Sequence, residues 1–172
     1  MNASVPLLEV TGASRERLEA LGLEVADLYR ALAHQPAMLE AWLDFSSSLR
    51  REPAVSRALR ELMILRTAQL HQAPYQWRDH VRMAAEAGVT PEQIDGLEER
   101  ASSTLYDEKT RCALDLTEDM VRGEVSDATL GELADLFTPA ERIELILTAG
   151  FYCMVPRVLD ALRLQPSSED IP

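Results

Sequence analysis

Residues 60–70 read RELMILRTAQL, and after a short break residues 73–81 read APYQWRDHV. The first stretch is apolar on nearly every side of a helix, which predicts a central, buried helix. The second stretch predicts a helix from about Tyr75 to Ala87, because Gly88 is a natural left-handed helix end. These two helices carry every residue that the sequence singles out for chemistry.

Helix signals continue along most of the chain on both sides of this centre. Capping residues or first-turn prolines precede apolar runs with helical spacing at seven positions. These positions are Ser14, Pro36, Ser56, Thr90, Asp107, Ser126 and Thr138. The pattern predicts seven or eight helices and no strand. We therefore expect an all-α, single-domain helical bundle over residues 1–164, followed by a flexible tail over residues 165–172.

Composition and charge exclude several classes of function. The 172 residues are 47% hydrophobic and 27% charged, which is typical of one globular domain with a real core. The formal net charge of −12 argues against nucleic acid as a partner, because the phosphate backbone would be repelled. No segment approaches the roughly 20 apolar residues of a membrane helix, and no leader precedes the first helix signals. We expect no membrane partner and a cytoplasmic protein.

The cysteines and histidines do not form a recognisable metal or redox motif. Cys112 and Cys153 both lie in apolar helical contexts, where a free thiol usually behaves as a small buried hydrophobe. His34, His71 and His80 are too scattered for the spacing of a closed zinc site. The sequence therefore predicts no metal site.

Glu61 and His80 are the candidate catalytic residues. Glu61 is a charged group on a helix whose other positions are mostly apolar, so it requires a partner or a polar cavity. It is either one half of a structural ion pair, with Arg57 one turn earlier, or a carboxylate at the floor of a pocket. His80 shares a helix face with Gln76, four residues earlier, and is either a core histidine or a ligand-binding one. A simple hairpin turning near Ala73 would leave Glu61 and His80 several ångströms out of step, at about 1.5 Å of rise per residue.

The same residues carry a resemblance to a known family. Glu61, Ala73, Gln76 and His80 stand at the spacings where the alkyl hydroperoxidase D-like (AhpD-like), or carboxymuconolactone decarboxylase, family carries Glu, Cys, Cys and His. The resemblance implies an AhpD-like helical bundle that assembles as a homo-oligomer, either a trimer or a hexamer. In redox relatives one cysteine attacks peroxide and the other resolves it. Ala73 and Gln76 have no sulfur, so the peroxidase activity of those relatives is not expected here.

The other branch of the family resembles carboxymuconolactone decarboxylase, a cofactor-free enzyme that acts on an acidic lactone. Such chemistry requires a proton donor and acceptor, and a cation for the substrate carboxylate. The resemblance therefore implies Glu61 and His80 as acid and base, a small-molecule substrate and no cofactor. Substrate-binding candidates are Gln76, Arg66, Tyr75, Trp77 and Arg78.

Three hypotheses follow from the sequence. The first is a cofactor-free lyase, isomerase or hydrolase of a small carbonyl or lactone compound, with Glu61 and His80 in the chemical roles. The second is a non-catalytic oligomer that keeps the fold for ligand binding or as a scaffold. The third, a peroxidase, would require Cys112 or Cys153 to replace the missing thiols.

Overall fold

A computed structural model of the protein describes residues 3–51 and 53–164. The described residues form nine α-helices and no strand. In chain order they are α1 (Gly12–Ala20), α2 (Asp27–Leu32), α3 (Pro36–Arg51), α4 (Arg57–Leu70), α5 (Pro74–Glu86), α6 (Pro91–Asp95), α7 (Glu108–Arg122), α8 (Asp127–Leu136) and α9 (Pro139–Ala161). The predicted all-α class is confirmed. None of these helices combines the length and the apolar character that crossing a bilayer requires.

Helix α4 is the central element that the sequence predicts. Ser56 caps it by accepting a hydrogen bond from the backbone of Leu59 at 3.2 Å. Ten consecutive residues, from Leu59 to Ala68, are buried. The helix packs against α5 on one side and α7 on another, which is why it has almost no wet face.

Helix α5 begins and ends close to the predicted positions. Pro74 occupies its first turn, where the missing backbone N–H costs nothing. Gly88 follows the helix with φ at +87°, and the backbone N–H of Val89 donates to the carbonyl of Ala84 at 3.0 Å. This is a Schellman ending, and it requires the left-handed conformation that glycine adopts without strain.

The amino-terminal part contains one more helix break than the sequence predicts. The apolar run after Ser14 suggests one helix, but the structure divides it into α1 and α2. The division falls at Gly22, where φ is +66° and the backbone of Leu23 donates to the carbonyl of Leu18 at 2.9 Å. A Schellman ending therefore stops α1, and the apolar residues beyond it reach the core from an extended segment.

The later helices begin at the predicted caps. Thr90 and Gln93 form a reciprocal capping box at α6, and the side chains of Asp107 and Ser126 cap α7 and α8. Thr138 and Glu141 exchange the same two hydrogen bonds at the start of α9. The sequence predicts where these four helices begin, because capping depends on side chains within one helical turn of each other.

Two compact units can be distinguished, and each has its own apolar core. One comprises the described residues up to 51 together with 157–164, and its buried centre contains Val10, Leu18, Leu39 and Leu43. The other comprises residues 53–156 and contains all the candidate site residues. A single domain over residues 1–164 stays a prediction. The predicted flexible tail, residues 165–172, lies outside the described residues.

Candidate active site

Glu61 on α4 and His80 on α5 form a buried pair. Oε2 of Glu61 and Nδ1 of His80 lie 2.7 Å apart, and the two residues are only 4% and 9% exposed. The two residues are not out of step as they would be in a simple hairpin, because the turn between the helices has a different geometry. Helix α4 ends in a third Schellman turn, in which the backbone of Ala73 donates to the carbonyl of Ala68 at 2.9 Å. That bond sets Ala73, the residue before α5, level with Ala68 of α4. Glu61 lies seven residues before Ala68 and His80 lies seven residues after Ala73, so the two side chains are at the same level.

Gln72 makes this turn possible. It adopts a left-handed conformation with φ at +51°, which is uncommon for a residue with a side chain. The chain therefore reverses direction within residues 71–73, directly after α4 ends. The register of the hairpin is fixed by the backbone of this turn, and only then by the side chains that meet across it.

The carboxylate of Glu61 has a second partner. Its Oε1 lies 3.7 Å from Nε of Arg57, and Arg57 also donates from Nη2 to Oε2 of Glu86 at 3.1 Å. The hydrogen bond from Arg57, with further help from Arg82, holds the pKa of Glu86 below its usual value despite the opposing effect of burial. The side chain of Arg57 is 45% exposed, so it lies between the buried pair and solvent. Glu61 thus has the arginine partner that the sequence suggests and a histidine partner as well.

The orientation of His80 is set from two sides. An ionised carboxylate can only accept hydrogen bonds, so in a neutral imidazole bonded to Glu61 the proton is on Nδ1 and the lone pair is on Nε2. The ring also packs edge to face against Tyr152 of α9, with centroids 5.1 Å apart and planes at 88°. The sequence does not indicate Tyr152 as a neighbour of His80, because no local pattern shows which distant helix contacts a given histidine.

Gln76 lies one turn before His80 and is 3% exposed. Its Nε2 donates to the backbone carbonyl of Ile64 on α4 at 3.1 Å. Its Oε1 is buried and accepts no hydrogen bond from the described part of the chain. Gln76 therefore closes the α4–α5 hairpin with its amide nitrogen and presents an unsatisfied oxygen.

Arg66, a substrate-binding candidate, takes part in a different cluster. Its Nε and Nη2 reach Oε1 of Glu118 on α7 at 2.8 and 2.6 Å, and its Nη1 donates to Gln69. Arg100 approaches the same carboxylate with Nε at 2.9 Å and Nη2 at 2.7 Å. All three nitrogens of Arg66 are engaged, which favours a structural role in joining α4 to α7.

The remaining candidates on α5 lie beside the pair in sequence but make other contacts. The guanidinium of Arg78 lies 5.1 Å from the ring centre of Tyr75 and donates from Nε to Asp79 at 2.9 Å. Trp77 packs on the apolar cluster that contains Leu62 and Leu65. The structure thus brings Glu61, His80 and Gln76 together and gives Tyr75, Trp77 and Arg78 contacts of their own.

Neither cysteine stands at the site of the missing thiols. Ala73 is the N-cap residue of α5, whereas Cys112 and Cys153 are buried thiols on α7 and α9. Burial, reinforced by nearby carboxylates, raises the pKa of Cys112 to about 11. A thiol with that pKa is almost entirely protonated at neutral pH and is a poor nucleophile. The described residues contain no group of three or more His, Cys, Asp or Glu arranged to hold a metal ion.

Comparison with known proteins gives consistent matches. The model of the carboxymuconolactone decarboxylase family matches residues 36–119. An uncharacterised peroxidase-related protein from Silicibacter sp. TM1040 has a TM-score of 0.80 at 20% identity, with 96% of this chain and 91% of that chain covered. A peroxidase-related protein described as an alkylhydroperoxidase AhpD core, from Ralstonia eutropha JMP134, has a TM-score of 0.80 at 19% identity, with 99% and 95% covered.

A third similar structure is the debrominase Bmp8 in complex with 2,3,4-tribromopyrrole, with a TM-score of 0.80 at 15% identity and coverages of 98% and 96%. At these identities the likeness shows the fold, and the AhpD-like fold is confirmed. A comparison with curated protein sequences finds no match.

Proposed function

The chain belongs to the carboxymuconolactone decarboxylase family, and on that premise we propose that it is a cofactor-free acid/base enzyme acting on a small carbonyl or lactone compound. The observation that carries this proposal is the buried contact of 2.7 Å between Glu61 and His80. The reaction class is a lyase, isomerase or hydrolase reaction that begins with proton transfer at a carbon next to a carbonyl group.

His80 is the group that would move the proton. With Nδ1 protonated and directed at Glu61, Nε2 can accept a proton from the substrate and later return it. Glu61 would hold the imidazole in that tautomer and stabilise the imidazolium while the proton is on it. Glu61 is a positioning residue in this scheme, and His80 is the base and acid.

Arg57 is our candidate for binding a substrate carboxylate. Its Nε lies 3.7 Å from Oε1 of Glu61, and its side chain is partly exposed. Arg66 is committed to Glu118 and Gln69, while Arg78 lies half a helical turn away from the face of His80. Arg66, Arg78, Tyr75 and Trp77 stay candidates, but Arg57 has the better placement.

The contact between Arg57 and Glu61 also favours a second candidate function. A carboxylate that is neutralised by an arginine and bonded to a histidine is a common structural arrangement. The protein would then be a non-catalytic, ligand-binding or scaffold member of the family. A peroxidase has less support, because Ala73 and Gln76 replace the two thiols and Cys112 is protonated at neutral pH.

Deuterium exchange separates these functions across a whole class of candidate substrates. A panel of γ-lactones, lactams and oxo acids, with and without hydroxyl groups, is incubated with the protein in D2O, and exchange next to the carbonyl is followed by proton NMR. We expect the protein to catalyse exchange in at least one compound. Glu61→Gln and His80→Gln should each reduce the rate by about 10²-fold or more, the usual contribution of a positioned acid or base.

The matched control is Glu19→Gln, which makes the same carboxylate-to-amide change in an exposed ion pair with Arg15. It should leave exchange unchanged. If Glu61→Gln and His80→Gln fold normally and retain full activity, the acid/base proposal is wrong. Binding of a panel member without exchange by the wild type would favour the non-catalytic candidate.

We also propose that the chain forms a homo-oligomer, a trimer or a hexamer. Support comes from α9, where Ile143, Leu147 and Met154 are 59%, 43% and 41% exposed at four- and seven-residue spacings. These spacings place the three side chains along one stripe of the helix, where a neighbouring copy could cover them. Sedimentation at the mass of one chain would contradict the proposal.

A further inference from the structure

Gln76 carries a buried oxygen atom that the fold leaves unsatisfied. The residue is 3% exposed, and Oε1 has no hydrogen-bond partner among the described residues. A buried acceptor in this state costs about 1–3 kcal/mol relative to a satisfied one. Native proteins rarely retain such a group unless a ligand, an ion or an ordered water meets it.

The direction of this oxygen is determined by the other half of the amide. Nε2 donates to the carbonyl of Ile64 at 3.1 Å. Exchanging the amide nitrogen and oxygen would bring two acceptors together, so the observed orientation is the one that the hydrogen bond requires. Gln76 therefore presents an acceptor, and its fixed amide leaves no freedom to present the nitrogen instead.

A second acceptor lies on the same helix face. Gln76 and His80 are four residues apart on α5, so their side chains are neighbours, about 5–6 Å apart at Cβ. In the neutral imidazole whose Nδ1–H donates to Glu61, Nε2 carries the lone pair and is the acceptor of the ring. A small molecule that meets both residues must offer hydrogen to each of them.

We infer that Gln76 is a specificity-determining residue, and that it selects a carbonyl compound bearing an O–H or N–H donor within two bonds of the carbon from which His80 takes a proton. Hydroxylated or enolic carbonyl compounds and lactams belong to this class, whereas simple lactones and ketones do not. The inference rests on the proposed function for the role of His80, but the acceptor role of Gln76 concerns binding alone. It narrows the substrate from any small carbonyl compound to one that carries a donor.

Two nearly isosteric probes test this preference. The probes are 2-pyrrolidinone, which has an N–H donor, and γ-butyrolactone, which has a ring oxygen in its place. Their affinities for the full chain are measured by NMR titration. We expect the wild type to bind 2-pyrrolidinone at least tenfold more tightly, the effect of about one well-placed hydrogen bond.

Gln76→Met removes the acceptor and keeps the length of the side chain, and it should reduce the preference at least tenfold. Gln76→Leu is a second variant in case the first does not fold, as judged by circular dichroism and thermal unfolding. Gln35→Met, at an exposed position before α3, is the matched control and should leave the preference unchanged.

Several outcomes would overturn the inference. They are equal binding of the two probes by the wild type, binding of neither probe, and a preference that survives in both folded Gln76 variants. Each would mean that water, and not a substrate donor, meets Oε1. A preference that depends on Gln76 in a protein without exchange activity would keep the binding role and reject the acid/base function. Exchange activity without the preference would reject only the inference about Gln76.

Discussion

Replacing Glu118 by glutamine should destabilise the protein because this carboxylate holds two buried arginines. Arg66 and Arg100 approach it with four nitrogens at 2.6–2.9 Å, and their side chains are only 11% and 10% exposed. The substitution preserves shape but leaves two guanidinium groups without their common counter-charge. It also places an amide N–H₂ group where one of the accepting oxygens stood.

The expected loss follows from these contacts. Breaking a buried ion pair by removing one partner costs about 3–5 kcal/mol. Two features reduce that figure here: Asp115 still accepts from Arg100 at 2.8 Å, and the Glu118 side chain is 21% exposed. We therefore expect a decrease of about 2–3 kcal/mol in the free energy of unfolding at pH 7, a large share of the about 5–15 kcal/mol that a domain possesses.

The loss should also depend on pH. Burial tends to raise the pKa of Glu118, but hydrogen bonds from Arg100 and Arg66 and their charges outweigh it, so the pKa lies below its ordinary value. A carboxyl with a lowered folded-state pKa stabilises the fold above its unfolded pKa, near about 4.3. That contribution disappears as the pH falls through the lower folded-state pKa, so the difference between wild type and variant should narrow in acid.

Urea unfolding followed by circular dichroism, at pH 7 and at several pH values from about 4 down to about 2.5, measures both effects. Glu19→Gln is again the matched control, because its ion pair is exposed and should contribute less than about 1 kcal/mol. A loss below about 1 kcal/mol for Glu118→Gln at pH 7, similar to the control, would refute the reasoning. Arg66 would then be free for the substrate-binding role that its sequence position first indicated.

Three further predictions concern single residues. Thr148→Val should raise the free energy of unfolding by about 1 kcal/mol in urea titrations, because it removes a buried hydroxyl that has no partner among the described residues. A destabilised variant would show that this hydroxyl is hydrogen-bonded. Cys112, whose pKa burial raises to about 11, should react with iodoacetamide far more slowly in the native than in the urea-unfolded protein at pH 8. Equal rates, measured by mass spectrometry, would contradict that. Gly88→Ala should lower the melting temperature because φ is +87° at this position. Gly131→Ala, within α8 and with open space around the added methyl group, should raise the melting temperature. A higher melting temperature for Gly88→Ala would contradict the Schellman ending.

The sequence predicts the helices of this protein better than it predicts their contacts. Capping boxes and the apolar character of α4 depend on neighbours within a turn or two, so they can be read from the chain directly. The break between α1 and α2 was missed because the apolar spacing continues across Gly22, although that glycine was a visible signal.

For the candidate site, the sequence indicates residues but not their geometry. Glu61 and His80 were identified from their spacing, but their contact depends on a Schellman turn at Gln72, a residue type that rarely takes that conformation. The partner of Arg66 lies 52 residues away, and no local pattern indicates it. For Gln76 the sequence indicates a polar amide, but only the hydrogen bond from Nε2 to the carbonyl of Ile64 shows that Oε1 is the atom without a partner among the described residues.

The turn at residues 71–73 makes the site sensitive to chain length in a way that its chemistry does not reveal. One residue added to or removed from this connection would turn α5 by about 100° and move it by about 1.5 Å along its axis. His80 would then leave the face that meets Glu61, and Gln76 would leave the carbonyl of Ile64 at the same time. Point substitutions at Gln72 alter only the strain of the turn, whereas insertions and deletions there dismantle the whole arrangement. A related protein can therefore share this arrangement only if it keeps the same number of residues between its glutamate and its histidine.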